Sequence, residues 1–343
     1  MQPEEVAVAS ESSSIAKVGK FVASAIPWVI ICALLWAGIF IRPQPVGGTV
    51  TPPVIERRDH FFGLEAASNG AVWVAGSNGK IVSIRADGQI EPMATPTSMT
   101  LQDLAIWDAD RAVAVGNEGV ILVTRDGGQK WEKVEGVPRS EVANKLNRVR
   151  VTATGLAVAT GEMGALLQSR DFGASWTRMR DEEDVAWNDV AILPGDRIVA
   201  VGEFGRVILT ADGGATWQDI NSPVESSLMS VAFRDASVGV AVGLEGVVLV
   251  TNDGGATWAR VDAGSHDHLF DITWDEFNAR WLGAGALGGW VSADADGGQW
   301  RVGRVDARDL AWHTRVLPVG KEAWFAGANI GRWDGQRWTA FGH

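Results

Sequence analysis

The chain has 343 residues, 41 of them Gly and 12 Pro, and 46% are apolar, which is a turn-rich globular composition rather than a disordered one. A formal net charge of −12 disfavours nucleic acid as a partner, because phosphate backbones are bound by basic surfaces. The single cysteine, Cys32, excludes an intramolecular disulfide, and a domain of roughly 280 residues buries about three quarters of its unfolded surface without one.

Residues 1–20 are polar, with Ser10, Ser12, Ser13 and Ser14, and read as a short disordered tail. Residues 21–41 then run without a charge and include Trp28 and Trp36. As a helix this segment spans about 31 Å, the thickness of a hydrocarbon core. It is too long for a signal-peptide apolar region and lacks a small-x-small cleavage site, so it reads as an uncleaved transmembrane anchor. Lys17 and Lys20 flank it on one side and Arg42 on the other. The positive-inside rule therefore predicts a cytoplasmic N-terminus and an exported remainder, periplasmic in a Gram-negative inner membrane. Residues 42–58 carry Pro43, Pro45, Pro52 and Pro53 with Gly47 and Gly48 and read as a partly extended linker.

From 59 to 343 one pattern recurs. Ala200–Trp217 and Ala241–Trp258 share a short apolar strand, a Gly-x-x-Gly turn, a second apolar strand, an Asp-x-Gly turn and a Trp. Ala114–Trp131 and Ala159–Trp176 follow the same plan. The first glycine of the turn falls at Gly76, Gly116, Gly161, Gly202, Gly243 and Gly285, with a looser copy at Gly327. Intervals of about 40–45 residues are the period of a propeller blade of four strands. The fold expected is all-β, a seven-bladed β-propeller behind one transmembrane helix. A generic sandwich would space its strands evenly without repeating the turn chemistry. The glycines are expected to supply the positive φ of tight turns. Innermost strands are expected near 103–107, 147–151, 188–192, 229–233, 269–274 and 310–315, following blade-one strands near 61–67, 71–75 and 80–85.

The second turn carries a recognisable signature. Thr124, Asp126, Gly128 and Trp131 fit Ser/Thr-x-Asp-x-Gly-x-x-Trp, the Asp box. So do Ser169, Asp171, Gly173 and Trp176; Thr210, Asp212, Gly214 and Trp217; and Thr251, Asp253, Gly255 and Trp258. The aspartates are expected to accept hydrogen bonds within their turns, and the tryptophans to fill the gaps between sheets. Joined to the upstream Ala-Val-Gly-x-x-Gly, the pattern resembles the propeller family of photosystem II stability/assembly factors and their non-photosynthetic bacterial relatives, over about residues 60–340. The resemblance implies a non-enzymatic protein that binds and helps assemble a membrane-protein complex, plausibly an RND/MMPL-type transporter outside photosynthesis. Two features depart from the photosynthetic members, the membrane helix and the acidic balance.

Enzymatic readings are weaker. Sialidases also carry Asp boxes, but their tyrosine nucleophile has no counterpart in a chain without tyrosine. A carbohydrate-binding or glycoside-hydrolase propeller is the alternative, since acidic residues are plentiful, although no carboxylate pair stands out from the repeat. No cofactor or metal site is expected. His266 and His268 with Asp267 read as a solvated loop. Glu118, Glu162, Glu203 and Glu245 lie in corresponding turns of four successive blades and are expected to form an acidic arc able to steer a basic partner, although any soluble turn tolerates Glu. Arg139, Lys145 and Arg148, near the longest blade-to-blade loop, and Arg206 complete the expected partner-binding set, with Asp181, Glu182, Glu183 and Asp184 on the adjacent loop.

Overall fold

A computed structural model describes residues 8–40 and 53–342. The chain divides into two compact units, Met1–Pro52 and Pro53–His343. The first contains one α-helix, Val8–Phe40, of which Gly19–Phe40 is long and apolar enough to cross a membrane, as a single-pass anchor or a signal sequence would be. The helix starts twelve residues before the expected end of the tail. Residues 8–20 are therefore helical, because their Ala, Glu and Lys residues are adequate helix formers and the apolar stretch supplies the turns from which they propagate. Residues 1–7 of the expected tail, residue 41 of the expected anchor and 42–52 of the expected linker lie outside the described residues.

The second unit is a seven-bladed β-propeller in which each blade is a sheet of four consecutive strands. All pairings are antiparallel, and strand order from the axis outward follows the sequence. The innermost strands are Phe61–Ala66, Leu101–Ile106, Leu146–Val151, Trp187–Leu193, Leu228–Phe233, Leu269–Asp275 and His313–Val319. The last begins three residues later than expected, because Leu310 is an exposed residue of the preceding loop. This connectivity sets two faces. The Gly-x-x-Gly turns and blade-to-blade loops share one, the loop face. The inner hairpins and Asp boxes share the other, the box face.

The second strands, such as Val72–Gly76, Ala112–Gly116 and Ala157–Gly161, are buried at every residue. Small and β-branched side chains suit a strand covered on both sides by neighbouring blades. The apolar core is accordingly divided into seven clusters, one at each blade interface. Each Asp-box Trp fills the gap to the preceding blade. Trp131 packs with Trp73 and Ile81 of blade one, Trp176 with Val113 and Ile121 of blade two, and Trp258 with Val199 and Val207 of blade four.

Blade one has no such Trp, and among the described residues no strand is exchanged between blades seven and one. Their seam is filled instead by Ile55, Phe61, Trp324 and Phe341, with Trp324 and Phe341 stacked at 4.9 Å. Lys80 Nζ fixes the entering chain by donating to the Val54 carbonyl at 3.0 Å and pairing with Asp59. Residues 53–58 thus belong to the propeller and not to a free linker, because Val54 and Ile55 are apolar side chains with a gap to fill.

The turn glycines divide between the expected role and a second one. The first glycine of each turn is extended, as at Gly116 with φ −167. It is required because a Cβ there would lie 2.3 Å from the Thr100 carbonyl oxygen. Positive φ falls on the last glycine, such as Gly119 at 64, and on the non-glycine residue before it, such as Glu118 at 56 and Phe204 at 57. Ile55→Ala should open a void at the seam and cost about 2–4 kcal/mol, measured by urea unfolding of the full chain in detergent; an unchanged midpoint would mean that the seam does not hold the ring.

Candidate functional site: the channel and its mouth

Every innermost strand carries a β-bulge between its first and third residues. A bulge re-aims side chains, and here it turns both the second and third residues of each strand towards the axis. The third residues are Gly63, Asp103, Arg148, Asp189, Ser230, Asp271 and Arg315, and each is buried. They meet in one charged lattice across the channel. Arg148 lies 3.4 Å from Asp189 and 3.2 Å from Asp271. Arg315 bonds Asp103 at 2.8 Å and Asp271 at 3.3 Å. Arg150, two residues further along its strand, forks onto Asp189 at 2.9 and 3.2 Å.

The acids also stitch neighbouring blades together. Asp103 accepts the Val149 amide at 3.0 Å, Asp189 the Val231 amide at 3.2 Å, and Asp271 the Val316 amide at 2.8 Å. Ser230 donates to Asp189 at 2.7 Å and accepts the Ile272 amide. Gly63 completes the ring because a Cβ there would press to within 2.9 Å of the Asp103 backbone. Burial opposes ionisation of Asp189, but Arg150 and Arg148 overcome it and hold the carboxyl at about 2. Arg148 is depressed by burial and by Arg315. Glu65, on the box-face side, has its carboxyl pushed up by burial despite Arg315 and Arg150.

The lattice separates two cavities. The box-face cavity, about 480 Å³, is lined by Glu65, Arg150, Arg234, Asp235 and Arg315 among others. The loop-face cup, about 210 Å³, is lined by the second residue of all seven inner strands: Phe62, Gln102, Asn147, Asn188, Met229, Phe270 and Thr314. Lys145 and Arg148 complete its wall.

The Asp boxes are closed turns. Asp126, Asp171, Asp212 and Asp253 each accept from the Ser or Thr two residues earlier and from the amide four residues later, at 2.7–2.9 Å. Asp212 is held at about 2 by the Thr216 hydroxyl and amide and by Thr210. Trp176 and Trp258 return their indole N–H to Gly173 and Gly255 carbonyls at 3.1 Å, while Trp217 packs with Ile208 and Trp187.

The expected partner-binding residues are scattered in role. Glu118 and Glu245 occupy the third position of their turns and are exposed. Glu162 and Glu203 occupy the second position and accept the Lys145 and Ala186 amides at 3.0 and 2.8 Å. Of the four, Glu162 and Glu203 are therefore spent on backbone amides, and Glu118 and Glu245 are the exposed carboxylates. Arg206 is engaged by Glu183 and by Asp219 at 3.1 Å. The acidic loop is neutralised locally by Arg178 on Glu182 and Arg180 on Glu183, not by Arg139 or Lys145. Arg139 is exposed, Lys145 is half-buried at the cup, and Arg148 is in the lattice. Among the described residues no three metal-ligating side chains converge, and His268 Nδ1 accepts the Glu245 amide at 3.0 Å.

Asp189→Asn leaves the buried Arg148 and the half-buried Arg150 underpaired and should cost about 3–5 kcal/mol at pH 7. With a folded value near 2, the Asp189 contribution is complete above about pH 4 and disappears as pH falls towards 2. Acid titration of both proteins should show that segment in the parent alone. Glu65 has the opposite sign. Glu65→Gln should raise the thermal midpoint at pH 7, with the gain fading below about pH 4, where the unfolded carboxyl is also protonated.

Residues 83–219 and 209–270 match the family model of the photosynthesis system II assembly factor YCF48. No curated protein sequence matches the chain. Among solved structures, YCF48 bound to a D1 peptide superposes with a TM-score of 0.64 at 18% identity, over 79% of this chain and 91% of that one. YCF48 from Cyanidioschyzon merolae gives 0.66 at 15% identity, over 83% and 97%. PorZ, a surface component of the type-IX secretion system of Porphyromonas gingivalis, gives 0.62 at 14% identity, over 83% of this chain and 38% of PorZ. The chain belongs to the photosynthesis system II assembly factor YCF48 family.

Proposed function

We propose that this chain is a membrane-tethered, non-catalytic accessory propeller that binds another envelope protein through its loop face and helps assemble or stabilise a membrane complex. One observation carries the choice of face. The described propeller exposes seven large apolar side chains, and five of them (Met99, Val142, Phe204, Leu287 and Leu310) lie in loop-face turns and loops. Phe204 is 70% exposed at the tip of its turn. Exposed apolar tips beside Glu118 and Glu245 suit a protein surface that is apolar and basic. The D1 peptide on a YCF48 propeller supports a polypeptide as the class of ligand.

Catalysis is not part of this reading. Asp103, Asp189 and Asp271 are each engaged by guanidinium and backbone donors. None is a free partner for Glu65 in the carboxylate pair that glycoside hydrolysis needs. The Lys17 and Lys20 flank supports a cytoplasmic N-terminus with the propeller in the periplasm. An RND/MMPL-type transporter is the partner class we propose.

Full-length protein purified in gentle detergent should retain a near-stoichiometric membrane protein, identified by mass spectrometry. Phe204→Ser with Glu118→Gln and Glu245→Gln should reduce its recovery about tenfold. Recovery unchanged in that variant would move the contact off the loop face, and recovery of no envelope protein would remove the accessory role.

A further inference from the structure

The loop-face cup has a chemical character that a general docking surface does not require. Its seven bulge residues divide into an apolar group, Phe62, Met229 and Phe270, and a polar group, Gln102, Asn147, Asn188 and Thr314. Two cations complete it. Arg148 is 6% exposed, and it lines the cup but not the box-face cavity. Its buried Nε lies 3.4 Å from Asp189 without hydrogen-bond geometry. Lys145 precedes the first residue of its strand. The residues in that place in the other blades are His60, Thr100, Ala186, Ser227, His268 and Trp312. None of those lines the cup, whereas Lys145 does.

Charge counting gives the sign of the ligand. Below the cup three guanidinium groups, Arg148, Arg150 and Arg315, face three carboxylates, Asp103, Asp189 and Asp271. The lattice is balanced, and at the mouth Lys145 Nζ enters no ion pair among the described residues, the neighbouring Glu162 carboxylate being held on the Lys145 backbone amide at 3.0 Å. A cation would meet Lys145 and Arg148 with no acid in the cup wall. A carboxylate would meet both, with amide donors beside them and an aromatic wall for its carbon skeleton. A cavity of about 210 Å³ holds one side chain or one small molecule, not a glycan chain.

We propose that the cup is a carboxylate-binding site, seated on Lys145 and Arg148, for a group that carries an apolar portion. The carboxylate is supplied by a free small acid or by an acidic side chain of a bound polypeptide. In the second case the proposal rests on the accessory-protein reading.

The test uses the full-length chain in nanodiscs and isothermal titration calorimetry with four probes: benzoate, its neutral counterpart benzamide, and blocked hexapeptides carrying Phe-Glu or Phe-Gln between glycines. Benzoate or the Glu peptide should bind about tenfold or more tightly than its neutral counterpart. Lys145→Gln should abolish that preference while leaving the thermal midpoint unchanged, and Lys145→Arg should restore most of it. Preference confined to the Glu peptide assigns the carboxylate to a polypeptide, and an equal preference for benzoate assigns it to a free acid. Binding that ignores charge, a preference that survives Lys145→Gln, or no binding of any carboxylate at about 20 mM, a Kd too weak to serve as a site, overturns the proposal. A carboxylate site lost in Lys145→Gln while the membrane partner is still recovered leaves the accessory role standing.

Discussion

Each sheet of the propeller begins and ends within its own blade, so the hydrogen bonds that join blades near the axis run through side chains, and the Asp–Arg lattice supplies them together with Asn147 and Asn188. This is an unusual use of buried charge, because ion pairs in a protein interior commonly do no better than well-packed apolar groups. Their value here is geometric. A carboxylate can accept a guanidinium from across the channel and an amide from the next blade at once, as Asp271 does with Arg148, Arg315 and Val316. No apolar side chain fixes both the angle between blades and the width of the channel. The lattice also closes the bore, which is why the two cavities at its ends differ in lining.

The Asp boxes perform the matching task at the periphery. Each spends its carboxylate and hydroxyl within its own turn, and the neighbouring Trp fills the gap to the preceding blade. The first turn glycine allows the backbone at the start of the same blade's inner strand to approach within contact distance. Together these devices make one blade nearly interchangeable with another, as repeat proteins require. Function must then come from positions at which blades differ. The bulge residues and the turn tips are such positions, running from Phe62 through Gln102 to Thr314 in the cup and from Asn78 through Phe204 to Leu287 at the tips.

Much of the fold was legible because the repeat states it several times over. The turn spacing gave seven blades, and most inner strands fell within two residues of their expected starts. The seam was not legible, since Val54 and Ile55 lie among prolines and only the missing Trp of blade one indicates that something else must fill that gap. The lattice was missed for a different reason. Asp103, Asp189, Asp271, Arg148 and Arg315 occupy one register position, but a strand containing a charge looks half-exposed until the partner charge from the opposite blade is known. Aligning the inner strands on their bulges would have found it. The different roles of the four turn glutamates were not legible, because Glu118 and Glu245 take the positive-φ position whereas Glu162 and Glu203 precede it and bind backbone amides.

The side-chain closure of the ring has a mechanical side. In a propeller closed by a shared strand, tension on the chain end must shear several backbone hydrogen bonds at once. Here the chain enters at Pro53, and its first holds are the apolar plug at Ile55 and the Lys80 contacts to Val54 and Asp59. A load applied through the preceding segment would peel this plug before it reached any ladder of the sheets, so the seam acts as a fuse. It would yield at low force, by a rate set by the barrier to opening, while six other interfaces keep their packing.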